Sequence, residues 1–175
     1  MPVRPATLID AAGIAHVHVT SWQDAYCDLL PADFLNRLSV KQRWRQWKNI
    51  LQVSHGHTLV YEHIEPAGER QIVGFAGLGA CRDQDIDSHT TGEIYAFYLA
   101  SAHWGKGYGA TLMRAALELL RELGNERATL WVLRNNQRAI RFYERAGFAA
   151  DGCTKIETLP GSIEITEMRY WRNIQ

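Results

Sequence analysis

A chain of 175 residues has the length of one ordinary domain, enough to bury a core without disulfides or a structural metal. Its 46% hydrophobic and 22% charged content is that of a globular protein, and 19 basic side chains offset 19 acidic ones. Neutrality excludes a protein that grips nucleic acid by bulk charge, though not a locally charged cleft, and no stretch nears the roughly 18 consecutive apolar residues of a membrane span.

In chain order, residues 2–7 read as a short strand, with Asp10 as N-cap of a helix over 11–29 that carries Ile14, Val17, Trp22 and Tyr26. Pro31 opens a second helical stretch with Phe34, Leu35 and Leu38, and residues 40–52 form a third, with Trp44, Trp47 and Leu51 three and four apart. Strands follow at 57–64 and, after a turn at Pro66–Gly68, at the glycine-rich 71–80. A polar loop, 84–91, leads to the apolar strand 92–99. Residues 106–123 form the strongest helix, with Leu112, Ala116, Leu119, Leu120 and Leu123 on its buried side and Gly124 as its stop. Strand 128–133, helix 137–146 ended by Gly147, and strands 148–158 and 163–172 about a Pro160–Gly161 turn complete the order. Strand 92–99, helix 106–123 and strand 128–133 make a parallel βαβ unit flanked by antiparallel strands. The expected fold class is therefore mixed α/β (α+β), with residues 1–175 as a single domain.

Metal sites are not expected. His16/His18 and His55/His57 lack the i,i+4 spacing and partner set of a zinc site. Asp83, Asp85 and Asp87 alternate as in a calcium loop, but Ser88 and Ile94 stand where Gly and Glu are needed. Cys27, Cys81 and Cys153 are scattered with no CxxC pair, and MPVRPATLID has no apolar export segment, so the expected setting is a reducing cytoplasm.

The segment HWGKGYGA (103–110) sits between a strand and the strongest helix. Gly105, Gly107 and Gly109 allow the backbone to turn and its N–H groups to approach a ligand, and a helix N-terminus favours an anion. A phosphate or pyrophosphate is the natural guest. The string G-K-G-Y-G-A also fits a dinucleotide fingerprint, and Arg134 could meet a 2′-phosphate. However, several residues separate Leu99 from Gly105, and the flanking antiparallel strands disfavour an NADP-binding domain.

Two blocks, GEIYAFYLASAHWGKGYGATLM (92–113) and LRNNQRAIRFYERAGF (133–148), resemble the GNAT superfamily, the GCN5-related N-acetyltransferases. The first is similar to the family's strand, Q/R-x-x-G-x-G/A pyrophosphate loop and helix; the second to its N-x-x-A-x-x-F-Y-E-x-x-G-F block. Trp104 departs from the pattern at the Q/R position. The resemblance implies a mostly antiparallel GNAT-like sheet around the βαβ unit and direct acetyl transfer from acetyl-CoA to a primary amine of a small molecule or peptide, without an acyl-enzyme. Phe97, Tyr98 and Leu99 would then offer a strand edge to the pantetheine amides and backbone donors to an oxyanion. Amides of Gly105, Lys106, Gly107, Tyr108, Gly109 and Ala110 would hold the pyrophosphate.

Asn136 and Tyr143 lie two helical turns apart, about 10 Å along the axis, so one face could carry both to the cofactor. Asn136 is expected to bond the cofactor arm, to cap helix 137–146, or to do both. Tyr143 would give its proton to the departing thiolate; the alternative is a core tyrosine beside Phe142. Glu93, placed by period two on one strand face with Tyr95, Phe97 and Leu99, is the candidate base for an ammonium substrate; the alternative is an exposed strand-end glutamate. Trp22 and Tyr26, with Phe34, would wall the acceptor side or fill a core. Other readings of the chain are a non-catalytic acyl-CoA-binding module and a homodimer. No nucleic-acid or membrane partner is expected.

Overall fold

The computed structural model describes residues 2–53 and 56–175. His55, half of the second histidine pair, lies outside them. The strands are β1 (Val3–Pro5), β2 (His57–Ile64), β3 (Arg70–Ala80), β4 (Thr91–Leu99), β5 (Arg127–Leu133), β6 (Ala149–Leu159) and β7 (Ile163–Asn173). The helices are α1 (Ala11–Ala25), α2 (Ala32–Asn36), α3 (Val40–Val53), α4 (Tyr108–Glu122) and α5 (Gln137–Arg145). Among the described residues the strands form one sheet in the order β1-β2-β3-β4-β5-β7-β6, parallel only between β4 and β5. This is the expected mixed, mostly antiparallel architecture around one βαβ unit.

The sheet is covered on both faces. On one, Leu112, Ala116 and Leu120 of α4 and Ile140 and Tyr143 of α5 pack on Leu78, Ile94, Leu130 and Val132. On the other, Ile14 and Val17 of α1 and Trp47 of α3 pack on Val60 and Phe75. Leu112 and Leu120 are fully buried, each side chain contributing roughly 1.5–3 kcal/mol. A third cluster joins the chain's two ends: Leu30, Phe34 and Leu35, at and before α2, meet Leu159, Ile163 and Ile165 of the β6–β7 hairpin.

The first strand is shorter than expected, Val3–Pro5 against 2–7, and two helix ends also differ. The first long helix ends at Ala25, not 29, and α4 begins at Tyr108, not 106. Gly105 and Gly107 take φ of 75° and 81°, a left-handed region that keeps them out of the helix. No described helix is long and apolar enough to cross a membrane.

Candidate active site

The sheet is split at its centre. β4 and β5 pair only from Thr91 to Ile94 and from Arg127 to Leu130. Beyond that point Ala96–Leu99 pair with β3, and Trp131–Leu133 pair with β7. The break coincides with a bulge at Tyr95: Gly77 faces Ala96, but Leu78 faces Ile94. The gap between the strands opens into a cavity of about 1330 Å³ that both faces of the sheet line.

The ladder fixes where the strand edge points. The Ala100 N–H donates to the Val73 carbonyl at 2.8 Å, which makes Gly74/Leu99 a non-hydrogen-bonded pair. The N–H and C=O of Leu99, and by alternation those of Phe97, therefore turn toward the gap, while those of Tyr98 turn to β3. The Leu99 carbonyl already accepts from Trp104 Nε1 at 2.8 Å and from Ser21 Oγ at 3.2 Å.

The glycine loop closes one end of this gap. Gly105, Gly107, Gly109 and Ala110 line the cavity, and Gly107 precedes α4 without a side-chain cap. The first N–H groups of α4 therefore keep the orphan donors of a helix start beside the cavity. The Lys106 side chain is exposed and does not line it. Tyr108 turns its ring away, stacked on Tyr61 at 4.5 Å, and brings only its backbone to the loop. Arg138 of α5, not singled out in the sequence, lines the cavity beside Trp104.

Asn136 and Tyr143 both reach the cavity from α5. Asn136 Oδ1 accepts from the Ala139 N–H at 3.1 Å, a true N-cap, which leaves its amide N–H donors for other partners. Tyr143 is 8% exposed, its ring enclosed by Phe97, Phe142 and Phe148. Burial, reinforced by Tyr98 and Glu167, pushes its hydroxyl well above the ordinary tyrosine value, so it stays a proton donor at neutral pH.

Glu93 is placed differently from expectation. It lies opposite Gly79, and Gly77 on that face meets Trp47 of α3, whereas Phe97 and Leu99 pack with α4. The extra residue at Tyr95 shifts the parity, so Glu93 does not share a face with Phe97 and Leu99. Glu93 is 2% exposed and its carboxylate is occupied: Oε2 accepts from Arg82 N and Nε at 3.0 Å each, and Oε1 from Arg82 Nη2 at 2.6 Å. Arg82 also lies 4.1 Å over the Tyr95 ring, and Tyr95 donates to the Ala80 carbonyl. Neither an exposed strand-end glutamate nor an unencumbered base describes this residue; it belongs to a clamp around the bulge.

On the far side of the gap, Trp22 and Tyr26 line the cavity with ring centroids 5.1 Å apart, and both pack on the Leu30–Phe34 cluster. They are wall and core at once; Phe34 is core alone. Asp83 and the exposed Asp85 both pair with the buried Arg169, which Asp151 also holds. His18 accepts from Trp47 Nε1 at 3.1 Å and stacks on Tyr98, and burial lowers its pKa to about 3. No group of three or more potential ligands that could hold a metal occurs among the described residues.

Glu167 of β7 went unnoticed in the sequence. It faces Leu133 at the end of the splayed β5, lines the cavity, and is 19% exposed. No local pattern marks it, because its place depends on the register of β5, β7 and β6.

Comparison with known proteins decides the family. The sequence profile of the acetyltransferase (GNAT) family matches residues 20–148. The chain belongs to the GNAT family. A relative, the uncharacterized N-acetyltransferase YuaI of Bacillus subtilis (strain 168), is 32% identical over 81% of this chain and 76% of its own length. The spermine/spermidine N(1)-acetyltransferase of the same organism is 33% identical over 51% of this chain and 62% of its own. Among solved GNAT folds, the PaiA N-acetyltransferase of Thermoplasma acidophilum, in complex with coenzyme A, superposes with a TM-score of 0.69 at 18% identity, covering 98% of this chain and 97% of that one. The yncA structure from Salmonella typhimurium with acetyl-CoA gives 0.68 at 20% identity, covering 99% and 93%. At these identities the two structures speak for the fold.

Proposed function

We propose that this GNAT protein transfers the acetyl group of acetyl-CoA directly to a primary amine. The observation that carries the reading is the split between β4 and β5. It sets an outward-turned strand edge, an uncapped helix start with a glycine loop, and a buried phenol along one cavity.

A thioester arm laid in the gap would pair with Phe97 and with the Leu99 N–H, as an added strand does. Its pyrophosphate would meet the N–H groups of Gly105–Ala110 at the start of α4. The Asn136 amide donates to the arm while its oxygen caps α5. Acetyl-CoA supplies the activated acyl carbon; the protein orients it and handles the protons. The Phe97 N–H can stabilise the oxyanion as the amine attacks. Tyr143 donates its proton to the departing thiolate as the C–S bond breaks, and the proton lost by the attacking nitrogen restores the phenol, so the transfer is coupled and no phenolate is left. Glu93, bound at both oxygens, serves this scheme by holding the bulge that separates the strands.

The test is thiol release from acetyl-CoA over a panel of primary amines, with mass spectrometry of the acetylated product. Acetyl-CoA should also raise the melting temperature, and NADPH should not. Acetyl-CoA binding without transfer to any amine would leave a non-catalytic module, and stabilisation by NADPH alone would overturn the reading.

A further inference from the structure

We infer that Glu167 anchors the ammonium of the acceptor and takes its proton, and that the acceptor is a singly charged primary amine on an apolar or aromatic body. The inference rests on the transfer reading above and adds the substrate class and the base. Glu167 lies outside the matched span 20–148, on the terminal hairpin.

Three elements converge on this carboxylate. Its charge is felt by Tyr26 at the end of α1, Tyr98 of β4 and Tyr143 of α5. Glu167 and Tyr143 line the same cavity, which Trp22 and Tyr26 also line. Oε2 lies 3.2 Å from Lys155 Nζ, and Oε1 meets no donor among the described residues. Glu93 contrasts in both respects, being nearly inaccessible and held at both oxygens by Arg82.

The charge of the wall sets the valence of the guest. Lys155 bridges Glu167 and Glu157, the latter at 3.0 Å, so two carboxylates and one ammonium leave a single negative charge. Arg82 neutralises Glu93, and the three carboxylates gathered on Arg169, those of Asp83, Asp85 and Asp151, do not line the cavity. One ammonium is matched there; a polyamine would bring two or more charges to a wall that offers one. Trp22, Tyr26, Leu159 and Ile165 line the same cavity and suit an apolar or aromatic body.

The groups facing Glu167 are Lys155 and Glu157 of β6, Glu93 and Tyr98 of β4, Tyr26 and Tyr143. Burial leads these influences and raises its carboxyl above the ordinary glutamate value. That brings it nearer the range of a useful base.

Two of the three ammonium protons must leave. The first passes to Glu167 and on to solvent. The nitrogen lone pair then bonds the thioester carbon, and the C–S bond breaks. Tyr143 protonates the thiolate and is restored by the second nitrogen proton. An amide, free coenzyme A thiol and one solvent proton result.

The test compares the full chain with Glu167→Gln, both loaded with coenzyme A. The probes are phenethylamine, its uncharged analogue 2-phenylethanol, and spermidine. Calorimetry should show phenethylamine binding about tenfold or more weaker in the variant and phenylethanol binding unchanged, since only the charge-assisted bond is removed. Coenzyme A affinity within about twofold of wild type confirms that the variant is folded. In thiol release with phenethylamine, kcat/KM should fall about 100-fold near pH 7, and the gap should close toward pH 10, where the amine arrives unprotonated. Equal phenethylamine binding in the two proteins, or tighter wild-type binding of spermidine, would overturn the inference. Charge-selective, Glu167-dependent binding with no thiol release would uphold the anchor and instead sink the transfer reading.

Discussion

The Arg138 guanidinium lies 4.1 Å over the ring of Trp104, whose indole N–H donates to the Leu99 carbonyl at 2.8 Å. The residue that departs from the family's Q/R pattern thus ties the end of β4 to the glycine loop and carries a cation on its outer face. Arg138→Ala should weaken acetyl-CoA binding about three- to tenfold, more at low salt than at high. Trp104→Ala should cost more, because it also releases the Leu99 carbonyl. Calorimetry at two salt concentrations checks both.

Tyr143→Phe should reduce turnover about 100-fold or more while leaving acetyl-CoA affinity within about twofold. Single-turnover thiol release and calorimetry separate the two effects. Unchanged turnover across several amines would remove Tyr143 from the chemistry.

The buried phenols also set an alkaline limit on stability. Tyr26, Tyr98 and Tyr143 have hydroxyls raised by burial, whereas an unfolded tyrosine titrates near 10. Above about pH 10 the unfolded chain sheds these protons and the folded chain keeps them, so stability should fall as pH rises. Melting temperatures from about pH 8 to about pH 11 should show the decline, and Tyr143→Phe should soften it.

His18 imposes the opposite limit. Its pKa is lowered to about 3 by burial, with Arg43 contributing, against 6.5 when unperturbed. Its stabilising contribution is present above pH 6.5 and is lost as pH falls toward 3, because the unfolded chain takes up the proton first. His18→Phe should flatten that acid limb, at a cost of about 1–3 kcal/mol for the Trp47 N–H deprived of its acceptor. Chemical denaturation at about pH 5 and about pH 7.5 tests the difference.

Arg82→Ala would leave the Glu93 carboxylate buried without its partner. We expect a loss of about 2 kcal/mol, less than for a fully buried pair because the Arg82 side chain is 63% exposed. Glu93→Gln should lower the melting temperature and activity while preserving the shape of the pH–rate profile. Loss of the acid limb in that variant would return Glu93 to the role of base.

Much of the donor side is local, and local features are legible in a sequence. The left-handed Gly105 and Gly107 before a strong helix, and Asn136 at the cap of α5, follow from short-range geometry. The split between β4 and β5 is not local. One extra residue at Tyr95 reverses the parity of everything before it, which is why counting by twos put Glu93 on the wrong face. Glu167 is less legible still: β7 must register against both β5 and β6, and the hairpin must fold onto α2, before its carboxylate lines one cavity with Tyr26. Trp22 and Tyr26 could not be sorted into wall or core because they are both.

The third apolar cluster has a consequence for how the protein can change. Leu159, Ile163 and Ile165 come from β6 and β7, and they dock on residues from far earlier in the sequence, at and before α2. The side of the cavity lined by Trp22, Tyr26, Leu159 and Ile165 forms when these distant segments meet, whereas the glycine loop and α4 lie between them in sequence. On the proposed reading, mutations in the β6–β7 hairpin should redraw which amine is accepted while the cofactor side stays intact, and a hairpin exchanged between relatives should carry its acceptor preference with it.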